Sequence, residues 1–458
     1  MQAIMAPLTP PPKGLALASK SSPWSVIWRM IGIVILLFIL AMTMVEALFG
    51  MLVGDSELTI FSMICSIPLL LIFIYARRPK LTHLIMATAD PEGANQHILP
   101  DARMLITPVP TTFSHHLIKD SPPLEMPPTS TLWIVFSLTV ITAFLGLLPA
   151  MLSDEPVWLV IAVLVGVPAW LFGFSLPVHA WWAFSTRHFQ LMTTKIDGEK
   201  MLIAGMLSTF PALVINSLLF PLMLIAIGIE SMEPGTIGEF LILAISAPVG
   251  EELCKAAFVL SLYKMIDSPK RGFQIGFSVG LGFALLENLL YIMGSFGGLA
   301  VTYSLTAVMR GIGSIPGHAL WTGLSGTSIG WYLCTKRGIS KEESSHQDST
   351  TWMVFDGKSG QVVNTERELS SMGKTVRGWL YKPIDKVWKL PTNPIIGIAL
   401  AITGHAAWNG SLWFVSWLFI GTDIIVQVIA SLVWIVILIA TLWVIGREIL
   451  AAVMHLPS

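Results

Sequence analysis

Long apolar stretches alternate with polar ones along this chain. Ten apolar stretches stand out, at approximately 26–50, 58–76, 131–152, 156–182, 203–228, 238–263, 272–293, 312–334, 394–415 and 424–445. Each reaches the roughly 18 residues that a helix needs to cross hydrocarbon. A backbone immersed in lipid must satisfy its amides within its own segment, so spans of this length are predicted to be helices. Residues 296–311 are predicted to be a short interfacial or re-entrant piece leading into the eighth helix. The first run, from about Ser25 to Val53, is too long for the core of a signal peptide and is read as a retained helix. The expected fold class is all-α, a polytopic membrane bundle of about ten transmembrane helices.

Composition agrees. The 458 residues are 54% hydrophobic and 12% charged, half the charge of a soluble domain. Charge placement carries more than the net value of -1. All of the 27 Lys and Arg residues except Arg29, Lys255 and Arg310 fall in segments on one side of a ten-span chain, while the opposite connections carry Asp55, Glu57, Asp154, Glu155, Glu230, Glu233 and Asp423. By the positive-inside rule this predicts a cell-membrane protein with both termini cytoplasmic. No basic block suggests nucleic acid. Cys65, Cys254 and Cys334 lie in apolar segments without metal-type spacing, which excludes a disulfide framework.

The expected organisation is a cytoplasmic tail over 1–25, a transmembrane hairpin over 26–76, a cytoplasmic linker over 77–130, further transmembrane helices over 131–234, a functional core over 235–415 interrupted by a cytoplasmic insertion at 335–393, and a final helix and tail over 416–458. The nine prolines of 77–130 suggest an extended linker rather than a folded domain. In the insertion, apolar runs around a glycine-containing turn at 352–364 suggest a small β-hairpin.

Candidate chemistry sits in the later spans. The sixth reads Ala247-Pro-Val-Gly-Glu-Glu-Leu-Cys-Lys-Ala256, with Glu251 near the middle of the bilayer. A bare charge there costs about 2.5–3.5 kcal/mol, and intramembrane ionisable groups are usually functional. Lys255, one turn on, can pair with Glu251, whereas Glu252 points about 100° away and needs another partner. Pro248 and Gly250 suggest a kink that opens the site. The seventh span carries Phe283, Glu287 and Tyr291 on one face; the eighth carries His318, and the ninth His405 and Asn409 one turn apart. A lone helical histidine is usually a packing residue; three carboxylates, two imidazoles and an amide at similar depth suit hydrolysis by activated water.

At these residues the sequence resembles the PrsW family of intramembrane proteases, distantly related to the CAAX-prenyl-protease-like peptidases. The matching elements are Glu-Glu-x-x-Lys at 251–255, Phe-x-x-x-Glu-Asn-x-x-Tyr at 283–291, the segment from Arg310 to His318, and His-x-x-x-Asn at 405–409. Lys255 and Glu287 favour the PrsW side over the CAAX-protease pattern. The resemblance covers roughly 235–415. It implies cleavage of a membrane-associated protein substrate, in some relatives a membrane-tethered anti-sigma factor. It assigns Glu251 as general base with Glu252 beside it, Glu287 and His318 as groups that orient or share the water or a metal, and His405, helped by Asn409, as an oxyanion stabiliser or further metal ligand. A zinc site of Glu287, His318 and His405 and a metal-free glutamate mechanism both remain open. The rival reading is a proton-coupled secondary transporter on the same buried residues. The two Gly-His-Ala-x-Trp-x-Gly segments would be its repeat, but Glu-Glu-x-x-Lys has no second copy.

Overall fold

A computed structural model describes residues 5–7, 23–76, 82–98, 104–118, 124–153, 155–338, 354–355, 362–363 and 371–457. The chain is an all-α polytopic membrane bundle. In chain order its helices are α1 Pro23–Val53, α2 Ser56–Ala76, α3 Thr129–Leu152, α4 Pro156–His188, α5 Lys195–Ala226, α6 over 237–261, α7 Pro269–Ser295, α8 over 299–336, α9 Ser371–Leu380, α10 Pro394–Leu418 and α11 Ile424–Met454. Eight helical stretches among the described residues are long and apolar enough to cross a membrane. One of these, Pro269–Lys336, turns back at Phe296–Gly298 and so comprises both α7 and α8. α6 is not among the eight, and it is the helix in which Glu251, Glu252 and Lys255 fall close together.

Residues 296–311 differ from expectation. They are helical from Leu299 and run without a break into the eighth span. Leu299–Met309 carries no charge, and the Tyr303 hydroxyl donates to Ala169 O of α4 at 2.9 Å, which anchors the extension inside the bundle.

α7 is the central rod, buried along almost its whole length. Gly272, Gly276 and Gly280 line the face that meets α8. A Cβ on each would fall on the carbonyl oxygens of Gly326, Thr322 and His318 respectively, so α7 and α8 pack antiparallel with their backbones in direct contact. Small residues at four-residue spacing permit this approach between membrane helices. It brings the His318 turn of α8 against α7 and within reach of Glu287.

Three of the described helices contain a widened, π-wound turn: Ile215–Leu219 in α5, Leu241–Ser246 in α6 and Arg310–Ser314 in α8. In each, the residue before a proline (Pro221, Pro248 or Pro316) bonds a carbonyl five residues back. Proline has no N–H and its ring crowds the carbonyl one turn earlier, so the ladder opens just ahead of it. The kink expected at Pro248 takes this form.

β-Structure is minor. Thr82–Ile98 (β2) pairs antiparallel with Met104–Ile118 (β3), and Met5–Pro7 (β1) adds parallel to β2. This corrects the expectation of an extended linker over 77–130 for the described part of it. The prolines are tolerated because Pro91, Pro108 and Pro110 sit where the register shifts around Ala89, Ala94 and Thr111, so they interrupt no regular ladder. Val354–Phe355 (β4) and Val362–Val363 (β5) pair antiparallel where the hairpin was expected.

A candidate active site at the meeting of four helices

α6, α7, α8 and α10 bring the buried Glu251, Glu252, Lys255, His318 and His405 and the partly exposed Glu287 into one cluster. Lys255 is its hub, with 0% of its surface exposed. Its Nζ donates to Glu252 Oε1 at 2.8 Å, to Glu251 Oε2 at 3.2 Å and to His318 Nδ1 at 2.8 Å, and lies 3.9 Å from the centre of the Phe283 ring. The expected pairing with Glu251 is present, and the bond to Glu252 is shorter.

The histidines are held alike. An ammonium has no lone pair to offer, so His318 Nδ1 accepts from Lys255 and the ring proton lies on Nε2, which donates to Glu287 Oε2 at 3.0 Å. His405 Nδ1 donates to Glu252 Oε1 at 3.1 Å, leaving its Nε2 lone pair 3.9 Å from Glu251 Oε2. The two rings stand nearly perpendicular with centroids 5.1 Å apart. Glu252, fully buried, takes a further bond from the Thr322 hydroxyl on its Oε2 at 3.2 Å. Its missing partners are thus His405 and Thr322.

Arg310 closes the far side. Its Nη2 donates to Glu287 Oε2 at 2.6 Å, its Nε to Asn288 Oδ1 at 2.6 Å, and its guanidinium lies 4.0 Å from the centre of the Tyr291 ring. Asn288 in turn donates to Phe174 O at 2.9 Å. Glu287, Asn288 and Tyr291 of the seventh span therefore clamp one arginine, and Phe283 on the same face receives Lys255. From the sequence, Asn288 carried no task and Arg310 read equally as an interfacial anchor or a site residue. Sequence reasoning missed Thr322, whose signal was its position one turn after His318.

Metal-type geometry arises at Glu251, His318 and His405, which each offer one ligand atom with all three within 4.8 Å of one another. Glu287, grouped with the histidines from the sequence, is not in that set: Arg310 and His318 already bond its Oε2. The donor set fits a divalent ion in three ways. Two imidazoles and a carboxylate leave a fourth position free, as catalytic zinc sites do. Each histidine has its other nitrogen held by a separate carboxylate, the usual support for a metal-binding ring. With both imidazoles neutral, the cluster holds three carboxylates against Lys255 and Arg310, an excess of negative charge that a cation would balance. Lys255 competes, because its ammonium uses the His318 and Glu251 lone pairs an ion would need.

Asn409 stands apart from the cluster. Its Nδ2 donates to Leu243 O at 3.2 Å. That carbonyl is free because Ala247 bonds Ile242 and the next residue, Pro248, has no N–H to give.

Neither a curated protein nor a solved structure matches the chain. Residues 200–352 match the model of the PrsW family intramembrane metalloprotease, a segment that includes Glu251, Glu252, Lys255, Glu287, Arg310 and His318 and ends before His405. Over residues 200–352, this multi-pass membrane protein is similar to the PrsW family of intramembrane metalloproteases.

Proposed function

We propose that the chain hydrolyses a peptide bond of a membrane-associated protein inside the bilayer, by activated water without a covalent intermediate, at Glu251, His318 and His405. The observation that carries this reading is the approach of those three side chains within 4.8 Å while Glu287 and Glu252 each hold one histidine. A divalent ion, zinc by the character of the donors, would be held by Glu251, His318 Nδ1 and His405 Nε2. When bound, such an ion polarises a carbonyl and a water molecule.

The remaining steps belong to the chain's own groups. Glu252 and Glu287 fix the tautomer and orientation of His405 and His318. Glu251 takes up the proton lost by water: its Oε1 has no hydrogen-bond donor among the described residues, whereas Glu252 has bonds to both oxygens. Lys255 offsets the charge of the adjacent acids. Asn409, committed to Leu243 O, acts in this reading by holding α10 against α6 rather than by meeting an oxyanion. Single-span proteins, anti-sigma-factor-like ones included, are the substrate class that a buried site of this kind would serve. A proton-coupled transporter on the same residues is less favoured, because the matching family is a protease family.

Glu251→Gln and His405→Ala, each purified as a folded protein, should abolish cleavage of a co-expressed single-span substrate and lower the zinc retained after purification. Unchanged cleavage in both variants would sink the proposal. Proton-coupled flux in proteoliposomes that both variants stop would replace it with the transporter.

A further inference from the structure

The α1–α2 hairpin holds an acid that the four-helix cluster does not use. α2, Ser56–Ala76, has 21 residues and is about 31 Å long, close to the thickness of the hydrocarbon core. Both of its ends are fixed to α1: Arg29 Nη2 donates to Ala76 O at 2.8 Å, and in the turn Asp55 N donates to Gly50 O at 2.8 Å. Ser62 lies six residues, or about 9 Å, in from the turn end of α2. Its Oγ is 3.5 Å from Oε2 of Glu46 on α1, so Glu46 stands at hydrocarbon depth, and it is exposed. The other polar groups of this seam are satisfied, since Thr43 Oγ1 donates to Leu40 O and Ser66 Oγ to Ser62 O, both at 2.9 Å. Glu46 has only the long contact with Ser62 among the described residues. Glu199, Glu239 and Glu448 of other helices, by contrast, meet Arg29, Trp413 and Lys382 respectively.

We propose that this face of the hairpin docks the transmembrane helix of another protein, one that carries Lys or Arg at the same depth. An acid in hydrocarbon without a counter-charge is costly, and intramembrane acids are met by a cation or mark a functional surface. The chain has no cation to spare: Lys255 and Arg310, deep within the described spans, are bonded to Glu251, Glu252 and Glu287. A second copy therefore offers none either, and the counter-charge comes with a different protein. Around Glu46 the surface is apolar, with Val45, Phe49 and Met63 exposed. A helix laid along this seam buries those side chains and sets one basic group against the carboxylate, which Ser62 holds from the hairpin side. The inference goes beyond the proposed cleavage, because Glu46 lies outside residues 200–352 and has no bond to the cluster.

The test places the full-length protein in liposomes with a leucine-rich single-span peptide and reads their association by energy transfer between labels. The peptide carries one Lys six residues from each end of its span, so that either orientation presents a cation at the depth of Glu46; a second peptide has Leu at both positions. Wild type should associate severalfold more strongly with the Lys peptide. Glu46→Gln should bind both peptides equally, and Glu46→Asp should restore the preference. Equal association of wild type with the two peptides would overturn the proposal, as would a preference that survives in Glu46→Gln. Energy transfer between differently labelled copies of the protein that Glu46→Gln abolishes would also overturn it, because the occupant would then be a second copy.

Discussion

The two faces of α8 differ in how they treat polarity. His318 and Thr322 face the cluster, where each makes a bond to a charged residue of α6 or α7. Pro316 and Leu320, each two positions away and so turned by about 200°, line an apolar cavity. On the first face, charge is met within a few ångströms by opposite charge or by a ring nitrogen. On the second, the helix meets aliphatic and aromatic side chains such as Trp133 and Leu442. A buried polar cluster and an apolar cavity can thus share a single helix wall, and a 3.6-residue period is enough to keep them apart.

The largest effect should come from breaking the contact that supports both faces. Gly276→Leu would drive a side chain into the Thr322 carbonyl of α8. Overpacking usually costs 1–3 kcal/mol, and more where neighbours cannot give, as here with backbone on both sides. Folded protein should be largely lost in size-exclusion profiles, while Gly294→Leu, on the same helix but with open space around it, should elute as wild type. Equal behaviour of the two would remove the backbone contact from the account. A smaller effect is expected at the clamp: Arg310→Lys keeps the charge but cannot reach Glu287 and Asn288 together. Supporting residues of this type typically alter activity by about 10–100-fold, so cleavage should fall within that range without loss of fold. Smallest is Thr322→Val, which removes one hydrogen bond to Glu252. At about 1 kcal/mol, that is roughly a fivefold loss of cleavage. An Arg310→Lys effect smaller than that of Thr322→Val would reverse the order in which the cluster depends on its supports.

The sequence carried the spans and the chemistry better than the contacts between them. Runs of apolar residues long enough to cross lipid named the rods, and Lys255 one turn from Glu251 named a local pair. Which carboxylate meets which histidine was not legible, because His318–Glu287 and His405–Glu252 join different helices and depend on how closely those rods approach. One cue went unused: the four-residue repeat Gly272, Gly276, Gly280 marks the face of α7 that lets α8 come near. The β2–β3 pair was hidden by its prolines, which read as breakers when counted but sit at a register shift when placed. The extent of α8 was underestimated because Leu299–Met309 is too short to count as a span until it is seen continuing through Arg310.

The proline-widened turns bear on the order of assembly. In α6 and α8 the carbonyls of Leu243, Gly311 and Ile312 are capped by Asn409, Trp181 and Trp443, which belong to other helices. Until those neighbours arrive, each bare carbonyl would face lipid at a cost of several kcal/mol. α6 is therefore a poor insertion unit until α10 enters, whereas α8 finds its first cap in the earlier α4 and its second only with α11. Since α10 also delivers His405, the nascent chain cannot bring Glu251, His318 and His405 together before that late span is synthesised.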